Sequence, residues 1–212
     1  RWSVAGSVTP LDMRTLIQAY GRPEMALAGL ANLQLARHYR VEGYVHTGLT
    51  DAKQPSHEAA SQKLLTSWPC ILAGGAHLEP GLLSIDEVFS PIQMILDAEL
   101  ISAMQRVLRG FAVDDETLAV DLIDQVGPGG LFTDREHTAR HLRREQWQPR
   151  IWSRQLVQGW LSGDRKTDVG RALDRWHALM AAPEPSPQLP EDLERRLWAV
   201  VRRAERALGS LA

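Results

Sequence analysis

The chain has 212 residues, 44% hydrophobic and 24% charged, with a formal net charge of −2. This is an ordinary globular balance without the clustered Lys and Arg that a phosphate backbone requires, so nucleic acid is not an expected partner. The single cysteine, Cys70, excludes an intramolecular disulfide and any Cys-x-x-Cys pair. No apolar run approaches the roughly 18 residues that cross a bilayer.

With no signal peptide in view, a cytoplasmic chain without a membrane span is expected. The chain starts with Arg1 rather than Met, which points to a piece of a longer protein. In chain order, Trp2 to Gly6 reads as a first short strand. Thr9, with Pro10 and Asp12 behind it, has the form of a helix start, and Tyr20-Gly21 of its end. A second helix begins at Pro23-Glu24. Its Met25, Leu27, Leu30, Leu33, Leu35 and Tyr39 recur at helical spacing, and its small residues allow close packing on a sheet. Val41 to Val45 is β-branched and aromatic and reads as a buried strand, completing a βαβ pattern.

The stretch after that strand is chemically dense. His46, Thr47, Thr50, Asp51 and Lys53 surround Gly48, a residue able to take backbone angles that others resist. Loops at the carboxyl ends of parallel strands carry the chemistry of α/β folds, so 46–53 is the first candidate for a site. The plainer alternative is that polar residues collect in loops because loops lie in water.

A helix follows from about Ser56 to Ser67, capped by Ser56 and ended by Trp68-Pro69. Cys70 to Ala76 is a continuous apolar run, suited to a strand covered on both faces, in which Cys70 is a buried, inert thiol. His77, Glu79 and Gly81 form a second polar loop. Leu82 to Val88 reads as another strand, and Pro91 to Leu108 as a long helix stopped by Gly110. Beyond 110 only helices are expected: 114–126, ended by Gly127-Pro128-Gly129-Gly130, then 135–144, 150–162 and 168–181. Residues 182–190 are a Pro-rich connector, and 191–208 a last charged helix. The domain expectation is barrel units over 1–110, a helical region over 111–182, and connector plus terminal helix over 183–212.

Several of these stretches together resemble one family. They are Thr50-Asp51-Ala52-Lys53 with Ala59; Gly75-Ala76-His77-Leu78-Glu79, then Ser84-Ile85-Asp86 and Asp97-Ala98-Glu99; and Leu108-Arg109-Gly110, Leu118-Ala119, Val126-Gly127-Pro128-Gly129-Gly130, Phe132 and His137-Thr138. In this order, over roughly 12–180, they resemble the carboxyl-terminal part of the trimethylamine methyltransferase family. The resemblance implies the last strand–helix units of an α/β (β/α)8 TIM-type barrel followed by a helical tail. It also implies methyl transfer from a methylated or quaternary amine to the cobalt of a corrinoid (cobalamin) carried by a separate corrinoid protein. The founding members carry pyrrolysine in the loop near Gly48. Only ordinary residues stand there in this chain, so it resembles the branch that includes glycine betaine methyltransferases. Ser56, Glu58 and Leu131 depart from the family pattern, where Asp, Gln and His are usual, which leaves the amine open.

A quaternary ammonium has no N–H to donate, so its site needs aromatic faces and carboxylates. Tyr44 and Phe89, at strand ends, are candidates to bind it, against the alternative of core aromatics; Trp2 reads as packing. His46 and Glu79 are further candidates for substrate contact, and His77 and Asp51 for the chemistry. Asp51 and Lys53 could instead pair with each other and, with Gly48, shape the loop. His137 and His141 share a helix face, but no third ligand accompanies them, and they read as structural. No metal site is expected, nor a permanently bound corrinoid, because the Asp-x-His-x-x-Gly motif of corrinoid carriers does not occur.

Two other readings stand beside this one. The first is a barrel hydrolase or lyase with Asp51, Lys53 and His77 as acid–base groups; the second is a non-catalytic helical interaction module from 111 onward. Three or four strands cannot close a barrel of eight, so the chain is expected to self-associate or to assemble with a missing amino-terminal half.

Overall fold

The computed structural model describes residues 3–5, 8–75, 77–182 and 189–209. The chain divides into two compact units, 1–177 and 178–212. The first unit opens with strand β1 (Ser3–Ala5). A small hairpin, β2 (Leu11–Asp12) and β3 (Ile17–Gln18), follows where a helix is expected. Local side-chain bonding explains the difference. The Asp12 carboxylate accepts the N–H of Arg14 at 2.9 Å, and the Asp12 carbonyl accepts the N–H of Leu16 at 2.8 Å. Short polar side chains that bond nearby backbone compete with a helix and favour a turn. The Pro10 carbonyl then closes the hairpin on the N–H of Ala19.

Helix α1 (Pro23–Tyr39) starts with Pro at its first position and ends at Arg40 in the left-handed region. It leads into β4 (Glu42–Tyr44) and, past Val45, into β5 (His46–Thr47). β1 pairs with β4 in parallel, Ser3 opposite Glu42. Helix α2 (His57–Leu72) is capped by Ser56 as expected, its hydroxyl accepting the N–H of Ala59. It does not stop at Pro69. The run from Cys70, expected as a central strand, is the last turn of this helix. An apolar stretch of that length fits either structure, and the contacts choose: Cys70 packs with Val45 and Leu33 beneath the sheet. The strand is instead β6 (His77–Leu78), parallel to β5 with His46 opposite His77. Two consecutive βαβ crossovers therefore give two short parallel pairs, β1 with β4 and β5 with β6, joined through Val45. Ala76 lies outside the described residues.

The expected strand 82–88 is a tight hairpin, β7 (Leu82–Leu83) against β8 (Val88–Phe89). Ile85 has φ of 74°, a strained value for a β-branched residue. It is held there by donating its N–H to Thr50 O at 2.8 Å, while Ser84 donates to Ala52 O. Helix α3 (Pro91–Arg109) is capped by Ser90. The expected helix 114–126 is split at Ala119, whose φ is 50°, into α4 (Asp115–Leu118) and α5 (Val120–Val126). α6 (Glu136–Glu145) follows, and α7 covers only Val157–Ser162. Residues 150–152, expected to be helical, bond elsewhere. The N–H groups of Arg150, Ile151 and Trp152 all donate to Glu99 Oε1, at 2.8, 2.9 and 3.1 Å. α8 (Asp168–Ala181) ends the first unit's helices and runs into the second, which holds α9 (Glu191–Gly209). No helix among the described residues is long and apolar enough to cross a membrane.

A buried ion pair ties the sheet's loops to the helices. Lys63, on the inner stripe of α2, is 2% exposed and Asp97 of α3 is 5% exposed, with Nζ and Oδ2 2.9 Å apart. Lys63 Nζ also donates to Gly48 O at 2.6 Å and Glu79 O at 3.5 Å. Asp97 in turn accepts from Gly81 N–H at 2.8 Å and Gln93 Nε2 at 2.7 Å. Burial pulls the Lys63 ammonium below its ordinary value, and Asp97 opposes that pull. Removing one partner leaves an uncompensated buried charge. Lys63→Met is therefore expected to lower the unfolding free energy by about 3–5 kcal/mol in urea titration, and a loss under about 1 kcal/mol would remove the pair from this role.

Candidate functional site

The alternation of a strand sends successive side chains to opposite faces. Val45 and Thr47 point to the helices and are buried at 1% and 3% exposure. Tyr44 and His46 therefore point to the face that α1 and α2 leave uncovered, and the register places His77 beside His46 there. The three rings form a cluster. Tyr44 lies 5.1 Å from His46, edge to face, and 5.1 Å from His77, while the two histidine rings are 5.9 Å apart. Glu79, two residues on from His77, joins the same face and takes a hydrogen bond from His46 Nδ1 through Oε1. All four side chains are half-buried or exposed.

Loops leave the carboxyl ends of β5 and β6 directly beyond this cluster. Gly48, φ 79°, turns the chain directly after β5, and its backbone is gripped by Lys63. The β2–β3 hairpin, the loop after β5 and the β7–β8 turn enclose a cleft of about 390 Å³ lined by charged groups, among them Asp12, Arg22, Asp51, Lys53 and Glu87. Arg22 pairs with Asp12 at 2.6 Å and reaches Asp51 at 4.0 Å. The Arg14 N–H donated to Asp12 holds that carboxyl below its ordinary value, and Arg22 adds to the effect.

The structure separates the residues expected from sequence into groups. Tyr44, His46, His77 and Glu79 come together. Asp51 and Lys53 do not join them and do not pair through their charges. Lys53 Nζ donates to the main-chain carbonyl of Asp51 at 2.6 Å, whereas the Asp51 carboxylate faces Gly21 N–H, at 3.4 Å, and Arg22. Asp51 is thus tied into a loop network, completed by Gln62 Oε1, which accepts the Asp51 N–H and the Thr50 hydroxyl. Phe89 is 58% exposed on its hairpin and lies against Gly81, where a Cβ would meet its ring at 2.7 Å. Among the described residues it makes no ring contact with Tyr44, His46 or His77. Trp2 lies outside the described residues.

His137 and His141 stack at 4.3 Å and both face Glu116, a contact between helices α6 and α4. Among the described residues no three His, Cys, Asp or Glu side chains gather to hold a metal ion.

Sequence reasoning missed Lys63, Gln62 and the role of Asp97. A signal was present: Lys63 interrupts the otherwise small or apolar stripe Ala59, Thr66, Ser67, Cys70 of α2, all buried. A lysine on a buried stripe needs an acidic partner, which Asp97 supplies from α3.

The geometry can be set beside known proteins. The profile of the family described as Trimethylamine methyltransferase (MTTB) matches residues 4–209. The chain is 30% identical over 204 residues to trimethylamine methyltransferase MttB of Desulfitobacterium hafniense strain DSM 10664 / DCB-2, covering 96% of this chain and 41% of that protein. It is also 30% identical over 209 residues to a glycine betaine methyltransferase of Desulfitobacterium hafniense strain Y51, covering 97% of this chain and 43% of that protein. Trimethylamine methyltransferase MttB of Methanosarcina barkeri is 28% identical over 206 residues, covering 97% and 41%. The chain thus spans about two fifths of the length of these relatives. With the profile matching nearly its whole length, the chain belongs to the trimethylamine methyltransferase family.

Proposed function

We propose that this chain forms part of a methyltransferase that takes a methyl group from a methylated or quaternary amine, glycine betaine being the example its relatives supply, and passes it to the cobalt of a corrinoid held by a separate protein. The observation that carries the reading is the cluster of Tyr44, His46, His77 and Glu79 on the helix-free face of a parallel sheet, at the carboxyl ends of its strands. In the proposed whole protein β1, β4–β5 and β6 are strands of a (β/α)8 barrel, and this face is its interior.

The cluster has the chemistry that an alkylated ammonium requires. Aromatic rings present π faces to a cation that cannot donate a hydrogen bond, and Glu79 supplies the opposing charge. The hydrogen bond from His46 fixes the Glu79 carboxylate, which holds the amine in one place. The corrinoid, when docked on its own protein, supplies the cobalt that accepts the methyl group. The task of these residues is alignment, because displacement at carbon needs the leaving nitrogen, the methyl group and the acceptor nearly in line. A water-poor pocket of rings also favours the neutral amine product over the cation.

The hydrolase or lyase alternative places acid–base work on Asp51, Lys53 and His77 together, but His77 lies in the ring cluster, which Asp51 and Lys53 do not join. Their hydrogen bonds to Gly21 N–H and to a main-chain carbonyl are those of loop-holding groups. The interaction-module alternative leaves the ring cluster without a role.

In the full-length enzyme, methyl transfer to cob(I)alamin is the measurement. Tyr44→Ala is expected to raise the KM for the amine roughly tenfold, the loss of a desolvated cation–π contact, while Tyr44→Phe keeps it within about threefold. Equal effects of Ala and Phe would assign the role of Tyr44 to its hydroxyl and not to its ring. Lys53→Met is expected to leave kcat within about threefold; a fall of about a hundredfold, together with turnover in the absence of corrinoid, would favour the acid–base reading.

A further inference from the structure

Helix α9 holds no buried residue among its nineteen. At 3.6 residues per turn, Leu193, Leu197, Val200, Val201, Ala204 and Leu208 fall within one arc about 100° wide. Leu197 is 49% exposed, and Val200 and Leu208 are each 67% exposed. An apolar stripe of this width is the face that a helix lays against a neighbour. The two edges of the stripe carry opposite charge: Arg196 and Arg203 border one side, Glu194 and Glu205 the other. None of these four makes an ion pair among the described residues.

These edges select what covers the stripe. An anionic lipid surface attracts a helix whose polar face is basic throughout, and Glu191, Asp192, Glu194 and Glu205 oppose it. A second copy of this chain supplies both complements at once. When two identical helices lie side by side in the same direction about a two-fold axis, the left edge of each faces the right edge of the other. Arg196 of one copy then meets Glu194 of the other, and Arg203 meets Glu205. Each pair is offset by two residues, about 3 Å along the axis, which an arginine spans. In the opposite direction like edges would meet, Arg with Arg and Glu with Glu.

We infer that α9 is a self-association helix: two copies of the chain pair through it in parallel, apolar stripe against apolar stripe, with Arg196 and Arg203 of each beside Glu194 and Glu205 of the other. The helix belongs to the second compact unit, 178–212, and the inference does not depend on the proposed methyl transfer.

Sedimentation of the purified chain over a concentration series is expected to show a monomer–dimer equilibrium in the micromolar range, as a small interface gives. Leu197→Asp, at an exposed position in the middle of the stripe, is expected to raise the dissociation constant about thirtyfold. Charge exchange separates this pairing from association through any other surface. Arg196→Glu with Arg203→Glu makes both edges acidic, and Glu194→Arg with Glu205→Arg makes both basic. Each doubly substituted chain alone is expected to dimerise about tenfold more weakly, and an equimolar mixture to recover the parent's affinity as a heterodimer. Leu193→Cys reports direction, since Cys70 is buried and the new thiol is the accessible one. Oxidation is expected to give a covalent dimer, because parallel copies bring position 193 together, whereas opposed copies hold it roughly 20 Å apart. A parent chain that stays monomeric, a dimer that Leu197→Asp leaves intact, a mixture of the charge variants no tighter than either alone, or no cross-link at position 193 would each overturn the inference.

Discussion

Burying Lys63 is the constraint on which the arrangement of this unit depends. An ammonium out of water is tolerated only where every donor finds an acceptor and an opposite charge stands close. Asp97, Gly48 O and Glu79 O meet that demand, and each belongs to a different element: α3, the loop after β5 and the loop after β6. The acceptor side is equally shared, since Asp97 also takes Gly81 N–H and Gln93 Nε2. Two loops and two helices are therefore positioned by one pair of charges. The loops held in this way are the ones that flank Tyr44, His46, His77 and Glu79.

The sheet divides the work between its faces. Val45 on one side packs with Leu33 and Cys70, and Gly29 and Gly43 permit that approach, since a Cβ at Gly43 would meet Ala36 Cβ at 2.8 Å. The other side carries rings and a carboxylate. A second buried carboxylate, Glu99, repeats the logic of Asp97 farther from the sheet, gathering three successive backbone N–H groups from 150–152. Multiple N–H donors stabilise a buried carboxylate strongly, so α3 fixes both the loop after β6 and the segment 150–152.

The chain belongs to the trimethylamine methyltransferase family, and its fold sorts the polar residues of two loops into separate places. Asp51 and Lys53 look chemical in sequence because they are charged and follow a strand. In the fold they are bound to backbone and to Arg22. His46, first noted as one member of a polar loop, is instead in the strand itself, where it reaches Glu79 thirty-three residues away.

The sequence by itself determined the first βαβ order, the strand near 41–45, the cap at Ser56 and the long helix that starts at Pro91. These follow from local periodicity, from cap chemistry and from the alternation of side chains, all of which act within a few residues. Tertiary structure decided the rest. Cys70 to Leu72 is helical because Cys70 finds Val45 and Leu33, a contact that an apolar run does not announce. Residues 150–152 are not helical because Glu99 offers their N–H groups a better acceptor than the next turn would. Lys63 and Asp97, 34 positions apart, form a pair only once α2 and α3 are packed, since the free energy of a buried charge depends on partners that local sequence does not name.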